Sequence, residues 1–138
     1  MELIDTHAHL TFDDLQNDID NVIARSREAG VTSWVTVGTE PEQVRRVLEV
    51  TPKYDGLYAA VGYHPHDAQQ ITDDDMRMLQ EAAGQPKVVA VGETGLDFHY
   101  NFSKQDAQEA IFRKHLDLAA ETNLPVIIHS RNAFDECM

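Results

Sequence analysis

Short apolar runs separated by longer helical patterns recur along the whole chain. Five runs carry a strand signal: Leu3-Ile4, Trp34 to Val37, Leu57 to Val61, Val88 to Val91 and Val126 to Ile128. They are partly β-branched and show no strict alternation with polar residues, which is typical of parallel strands buried on both faces. The pattern therefore predicts five parallel strands.

Apolar residues at helical spacing fill the gaps between these runs. The signals at helix ends are Gly30 as a stop, Pro41 as a first helical position, capping boxes at Thr72–Asp75 and Ser103–Asp106, and Asn123 as a stop. Strands that alternate with helices predict right-handed crossovers and a parallel sheet. No linker or low-complexity tract interrupts the 138 residues, so the pattern predicts one α/β domain.

The charge balance is strongly acidic. The chain has 24 Asp and Glu residues against 11 Lys and Arg residues, which gives a formal net charge of −13. A passive nucleic-acid binder usually presents a basic face, because neutralising phosphates provides its affinity. The composition argues against such a protein, but not against an enzyme that meets phosphate through bound metal ions, since these reverse the local charge of an acidic pocket.

Composition also bears on location. A single cysteine, Cys137, allows no internal disulfide, which suits a reducing cytoplasm. The apolar runs are too short to span a bilayer, and the amino terminus lacks the basic and apolar segments of a secretory signal. We therefore expect a cytoplasmic protein without a membrane partner.

Polar residues directly follow four of the five predicted strands. These segments are Asp5 to His9, Gly62 to His66, Gly92 to Asp97 and His129 to Arg131, and they hold five of the chain's 7 histidines. In parallel α/β barrels, the chemistry lies where strands end and lead into helices. The pattern therefore predicts one site built from all four segments.

The residue types in these segments indicate a metal site. His7 and His9 are two residues apart, so in extended chain both imidazoles point to the same side and can hold one ion. Glu93 offers two oxygens that can bridge two ions, and His129 is placed to reach the second ion. Imidazole and carboxylate together suit zinc, manganese, iron or nickel, whereas magnesium prefers more oxygen ligands.

Several of these residues also have a purely structural interpretation. Glu93 could be a buried partner of an arginine such as Arg131, and His66 could simply shape the loop around a proline. Asp97 could cap or orient a neighbour instead of touching metal or substrate. The two histidines outside the polar segments, His99 and His115, are expected on the surface.

The four segments resemble the TatD family of metal-dependent deoxyribonucleases. The matching stretches, in the family's order, are Asp5–Leu10, Gly62–His66, Val91–Phe98 and Pro125–Arg131. The resemblance implies a TIM-type (β/α) barrel of the metal-dependent hydrolase type. It also implies two divalent metal ions and hydrolysis of DNA phosphodiester bonds by a two-metal mechanism, often as an exonuclease.

The resemblance also implies roles for single residues. Similarity to the family makes His7 and His9 ligands of one metal, Glu93 the bridging carboxylate and His129 a ligand of the second metal. His64 is similar to the residue that contacts the substrate phosphate. The full set of candidates is His7, His9, Glu93 and His129 for metal, Glu93, His64 and Asp97 for catalysis, and His64, His66 and Arg131 for substrate. Asp97 would orient a ligand or accept a proton from the attacking water.

Chain length limits what the resemblance implies. A complete barrel has about 250 residues, and the family's further metal ligands, a histidine after strand six and an aspartate after strand eight, would lie beyond residue 138. We therefore expect residues 1–138 to be the N-terminal part of a single TIM-barrel hydrolase domain, holding about the first five βα units. Such a fragment should be inactive alone and should self-associate through its exposed barrel edges.

Two other functions stay open at this point. One is an amide or ester hydrolase of the wider amidohydrolase group, which the acidic composition mildly favours. Those enzymes often have a carboxylated lysine where this chain has Glu93, which disfavours them. The other is an inactive fragment that serves as an assembly module.

Overall fold

The computed structural model describes residues 1–138 and contains one sheet of five strands in chain order. The strands are β1 (Leu3–Ala8), β2 (Val31–Gly38), β3 (Leu57–Val61), β4 (Val88–Asp97) and β5 (Val126–Arg131), and every neighbouring pair is parallel. The predicted strand count and direction are therefore confirmed. Because all five strands run the same way, their carboxyl ends lie along one edge of the molecule.

Helices connect successive strands. They are α1 (Asp13–Gln16), α2 (Ile19–Glu28), α3 (Pro41–Val50), α4 (Asp73–Ala83), α5 (Gln105–Thr122) and α6 (Phe134–Cys137), and two 3₁₀ turns span Thr51–Lys53 and Pro65–Gln70. None of them is both long enough and apolar enough to cross a bilayer. The main core lies between the sheet and α3, α4 and α5, where it includes Val61, Leu79, Val91 and Leu118.

The outer strands differ from the central ones. Residues of β3 such as Leu57 and Val61 are fully buried, whereas Ile4 in β1 is 64% exposed and Ile128 in β5 is 47% exposed. Burial on both faces was therefore a wrong prediction for β1 and β5. The physical reason is their position, because each is paired on one side only.

Most of the predicted helix ends are confirmed. Helix α3 begins at Pro41, and α4 begins with a capping box between Thr72 and Asp75. Helix α5 ends at Asn123, whose φ of 54° is left-handed. Gly30, with a φ of 96°, follows the end of α2. These positions match the chemistry that caps and stops helices.

The predicted capping box at Ser103 and Asp106 is wrong. Helix α5 begins after Lys104, and no side chain caps it. The Ser103 hydroxyl instead donates to the carbonyl of His66 at 2.8 Å and accepts from the N–H of Gln69 at 3.0 Å. Ser103 therefore ties the start of α5 to the turn that follows β3.

Candidate active site

A cavity of about 450 Å³ opens at the carboxyl ends of the strands. All but one of the candidate site residues line it, namely His7, His9, His64, His66, Glu93, His129 and Arg131. The exception is Asp97, whose side chain is 0% exposed and lies behind two of the lining histidines. The strand-end segments therefore meet in one place, as the parallel arrangement predicts.

One group of possible metal ligands comes from β1 and β4. The Nε2 atom of His7 lies 3.2 Å from Oε2 of Glu93, and Nε2 of His9 lies 4.0 Å from the same oxygen. The two Nε2 atoms are 3.3 Å apart. His9 follows β1 directly, and the residue spacing turns both imidazoles toward Glu93. The three residues form a compact group that could hold an ion.

A second group of possible ligands consists of His64, His66 and His129. Glu93 joins this group to the first, because its other oxygen, Oε1, lies 3.1 Å from Nδ1 of His129. The Glu93 carboxylate is largely buried and faces one group with each oxygen. This is the geometry that a bridging carboxylate needs. Arg131 lies 4.0 Å from Asp97 and has no ion pair with Glu93, so the alternative of a Glu93–Arg131 pair is wrong.

Asp97 is held by four hydrogen bonds. Its Oδ1 accepts from the N–H groups of His99 and Tyr100, each at 3.1 Å. Its Oδ2 lies 2.7 Å from Nε2 of His66 and 3.1 Å from Nε2 of His129. Burial would raise the pKa of Asp97, but these hydrogen bonds outweigh it and hold the pKa well below its usual range. The carboxylate therefore stays ionised and orients two imidazoles, and so low a pKa makes it a poor proton acceptor.

The hydrogen bonds fix which imidazole nitrogens carry protons. Nδ1 of His64 accepts from the N–H of His66 at 3.2 Å, so a neutral His64 has its proton on Nε2, which lies 3.2 Å from Nδ1 of His129. His129 in turn donates from Nε2 to Asp97. Its Nδ1 then carries a lone pair, which can accept from Nε2 of His64 and which also lies only 3.1 Å from Oε1 of Glu93, another acceptor. Two facing acceptors favour a cation between them, so this donor set fits a metal.

Burial favours the neutral form of two imidazoles of the cavity, His64 and His9. Burial, followed by the positive charges that His129 and His66 can carry, lowers the pKa of His64 to about 4. Burial, followed by the charge of His7, also lowers the pKa of His9. Neutral imidazole is the form that binds metal. The lowered pKa of His9, a candidate ligand, therefore favours the form that can bind an ion.

Two buried residues of α5 support the site, and sequence reasoning missed both. Gln108 accepts from the N–H of Asp97 at 2.8 Å and donates to the Asp97 carbonyl at 3.1 Å. His115 accepts from the N–H of Tyr63 at 2.9 Å and bonds the carbonyl of Ile111 at 2.8 Å. The expected surface position of His115 is wrong, because the residue is fully buried, whereas His99 is exposed as predicted. The burial of His115 could have been inferred from its position, four residues after Ile111 on the apolar face of α5.

Comparison with known proteins decides the family. The family model described as TatD related DNase matches residues 4–138. The chain belongs to this family. A solved structure from Escherichia coli k12, described as YJJV, a TatD homolog, superimposes with a TM-score of 0.91 at 38% identity, covering 98% of this chain and 53% of that one. The predicted TIM-type barrel fold, in the form of its first five strand–helix units, is thereby confirmed.

Two curated relatives are similar over nearly the whole chain. An "Uncharacterized metal-dependent hydrolase YabD" from Bacillus subtilis is 42% identical over 134 residues, which is 97% of this chain and 52% of that protein. A "3'-5' ssDNA/RNA exonuclease TatD" from Cronobacter sakazakii is 40% identical over 131 residues, which is 95% of this chain and 50% of that protein. The chain spans about half the length of the curated relatives it matches.

Proposed function

We propose that residues 1–138 are the N-terminal part of a TatD-type barrel that hydrolyses DNA phosphodiester bonds with two divalent metal ions. The observation that carries the proposal is the position of Glu93, which has one oxygen 3.2 Å from His7 and the other 3.1 Å from His129. Relatives named as single-stranded DNA and RNA exonucleases support a nucleic-acid substrate, and exonuclease action is the form we propose. The complete barrel, by which we mean this chain together with the remaining strands, is the form to test.

The metal ligands we propose are His7 and His9 for one ion, His129 for the other, and Glu93 between them. Nitrogen and carboxylate oxygen are donors that suit zinc, manganese, iron and nickel, with magnesium less favoured. Ions held there would lower the pKa of a bound water and stabilise the charge that develops on the phosphate oxygens. The carboxylate of Glu93 neutralises part of the repulsion between two such cations.

Cationic side chains and hydrogen-bond donors of the cavity wall would bind the substrate phosphate. His64 carries its proton on Nε2, which lies 3.2 Å from Nδ1 of His129, and a metal ion bound by that nitrogen would free the N–H to donate to a phosphate oxygen. Arg131 lines the same cavity with a guanidinium, whose planar set of N–H donors can bind a phosphate through two hydrogen bonds. His66 lies beside both on the same wall. Charge-assisted hydrogen bonds of this kind orient a phosphate for attack.

Asp97 would act through other residues. Its Oδ2 fixes the rings of His66 and His129 by hydrogen bonds of 2.7 and 3.1 Å, and its burial separates it from any substrate. A carboxylate behind a metal-binding imidazole fixes the tautomer and raises the basicity of the ligand. We therefore propose an orienting role for Asp97 in place of the proton-accepting role.

Glu93→Gln tests the proposal. The amide keeps the size of the side chain but loses the charge and one acceptor, so both ions should bind more weakly. We expect Mn²⁺-dependent hydrolysis of a single-stranded oligonucleotide to fall by at least about a hundredfold, since even outer partners of a metal cost 10–100-fold. Nuclease turnover and calorimetric Mn²⁺ binding are measured for the parent and the variant of the complete barrel at equal metal.

Glu121→Gln is the matched control, because Glu121 is exposed on α5 and its loss should leave both measurements unchanged. Undiminished activity in Glu93→Gln would contradict the bridging role and favour a structural carboxylate. Turnover of an ester or amide, with none of DNA, would favour the amidohydrolase alternative. A parent barrel with no hydrolytic activity of any kind would favour an assembly module.

A further inference from the structure

Two exposed aromatic rings lie beside the cavity, outside both groups of possible metal ligands. Tyr100 is 50% exposed and Phe102 is 67% exposed. Their rings are nearly parallel, with 6° between the planes and 5.4 Å between the centroids. Phe102 also meets the ring of His66, a lining residue of the cavity, at 4.8 Å. We call Tyr100 and Phe102 the aromatic platform.

The backbone that carries the aromatic platform is fixed by polar contacts. Asp97 accepts the N–H of Tyr100 at 3.1 Å, and the Ser103 hydroxyl, directly after Phe102, donates to a backbone carbonyl at 2.8 Å. Between the two rings, Asn101 adopts a left-handed φ of 51°, a conformation that asparagine tolerates better than most residues. The platform is therefore presented on an ordered turn, with little conformational entropy left to lose on binding.

The side chain of Arg131 contacts the aromatic platform and also lines the cavity. The guanidinium carbon of Arg131 lies 5.2 Å from the ring centroid of Tyr100, in the range of a cation–π contact. Arg131 is also the only Lys or Arg residue that lines the cavity. In a chain with a net charge of −13, this corner combines a positive charge with two exposed aromatic side chains at the rim of the cavity.

We propose that the aromatic platform stacks against an unpaired nucleobase of the strand whose phosphate enters the cavity, while Arg131 contacts a phosphate of that strand. The proposal rests on the function proposed above and adds a subsite to it. A nucleobase is joined to its own phosphate through a single sugar, so a base on the rim is compatible with a phosphate in the cavity. Base faces are covered in a duplex, so the platform selects single strands and tolerates any base.

Phe102→Leu and Phe102→Trp test the proposal in the complete barrel. Leucine keeps an apolar side chain without a flat ring, and tryptophan keeps a ring. Binding is measured by fluorescence anisotropy in Mn²⁺, with a labelled single strand made hydrolysis-resistant by phosphorothioate linkages. An abasic strand of the same length and backbone provides the second ligand, because it has the phosphates but nothing to stack.

We expect Phe102→Leu to weaken binding of the normal strand about tenfold, which is within the range for one base–aromatic stack. The same variant should bind the abasic strand as the parent does, and Phe102→Trp should bind both strands as tightly as the parent. Tyr58→Leu is the control, because Tyr58 is an exposed aromatic residue near the amino end of β3, away from the cavity. It should change neither dissociation constant.

Two outcomes would overturn the proposal. One is equal binding of the normal strand by Phe102→Leu and the parent. The other is an equal loss on both strands, because the ring would then support packing and not a nucleobase. Hydrolysis of DNA by the parent without the expected binding pattern would reject the stacking subsite alone. The binding pattern without any hydrolysis would reject the proposed nuclease function and leave the subsite standing.

Discussion

One buried imidazole, that of His115, holds the backbone next to His64 through a hydrogen bond. His115 lies under the loop after β3, and both of its ring nitrogens are used, one by the N–H of Tyr63 and one by the carbonyl of Ile111. Burial lowers the pKa of His115 to about 4. The ring is therefore neutral at pH 7, and Nε2 can accept from Tyr63 only while it stays neutral.

His115 should make the stability of the protein sensitive to acid. Its pKa in the folded protein, about 4, lies below the ordinary value of 6.5, so the unfolded chain takes up a proton that the folded chain does not. Stability therefore falls as the pH drops from about 6.5 toward 4, by on the order of 3 kcal/mol for this group in full. We expect His115→Gln to flatten the decline in urea-unfolding free energy between pH 7 and pH 5.

His99→Gln is the matched control for this prediction, because His99 is exposed and its replacement should leave the pH profile of the parent in place. His64 shifts in the same direction and is present in all three proteins, so some decline remains in His115→Gln. A His115→Gln profile parallel to that of the parent would show that His115 does not contribute to acid sensitivity.

The backbone of strand β4 lies unusually close to β3 and β5, and this closeness positions the site residues. It carries both Glu93 and Asp97, and glycines stand between them and beside them. Gly95 has a φ of 140°, and a Cβ atom there would overlap the carbonyl oxygen of His129. A Cβ atom at Gly62, at the end of β3, would lie 2.6 Å from the Cα atom of Gly92. These glycines let three strands bring their polar residues into one cavity.

Gly95→Ala should destabilise the protein and damage the site together. Forcing β4 away from β5 and holding alanine at a positive φ should cost about 3 kcal/mol in unfolding free energy. In the complete barrel, nuclease activity of the folded fraction should also fall, since His129 would move. Urea unfolding and turnover are measured on the same samples.

Gly84→Ala is the control for the same exchange. Gly84 has an ordinary φ of −82° at the end of α4, and a Cβ atom there would meet Glu81 at 3.5 Å, which is normal contact. The unfolding free energy of the Gly84→Ala variant should differ from that of the parent by less than about 1 kcal/mol, and any change should be stabilising. Similar losses in the two variants would show that the contact with His129 is not what constrains residue 95.

The convergence of the candidate metal ligands could be predicted from the sequence, because strand ends in a parallel sheet lie along one edge whatever the helices do. His7, His9, Glu93 and His129 each follow or end an apolar run, and the structure brings them into one cavity. The helix starts at Pro41 and Thr72 could also be predicted, because they depend only on residues that are close in sequence.

The supporting contacts could not be predicted, because they depend on packing between distant segments. Gln108 and His115 are polar residues on a helix, a pattern that usually indicates the solvent side. Only the fold shows that they face β4 and the loop after β3. Ser103 was predicted to cap a helix, but its hydroxyl instead forms a hydrogen bond with the backbone of the turn after β3. The exposure of β1 and β5 likewise depends on strand order, which hydrophobicity does not encode.

The whole sheet has two open edges, and both carry exposed apolar side chains. Ile4 lies on the β1 edge and Ile128 on the β5 edge, and each of these strands is paired on one side only. Unpaired strands with apolar residues are templates for pairing with another chain. A negative charge of −13 opposes such association but is screened by salt.

We expect residues 1–138 alone to self-associate and to lack nuclease activity. Size-exclusion chromatography with light scattering should show oligomers that increase with salt concentration. The double variant Ile4→Lys, Ile128→Lys should shift the population toward monomer, because lysine on an edge strand disfavours pairing. Leu15→Lys, on an exposed residue of α1, is the control and should leave the distribution unchanged. A stable monomer of the parent at high salt would contradict this prediction.

The order of the strands in the sheet equals their order in the chain, so each strand pairs with the one made just before it. A ribosome delivers roughly 5–20 residues per second, and every new strand meets a partner that is already in place. No strand has to be inserted between two that have paired. His7, His9 and Glu93 lie on β1, the residue after it and β4, so this ligand group can assemble before β5 leaves the ribosome. Synthesis and folding can proceed together, one added strand at a time.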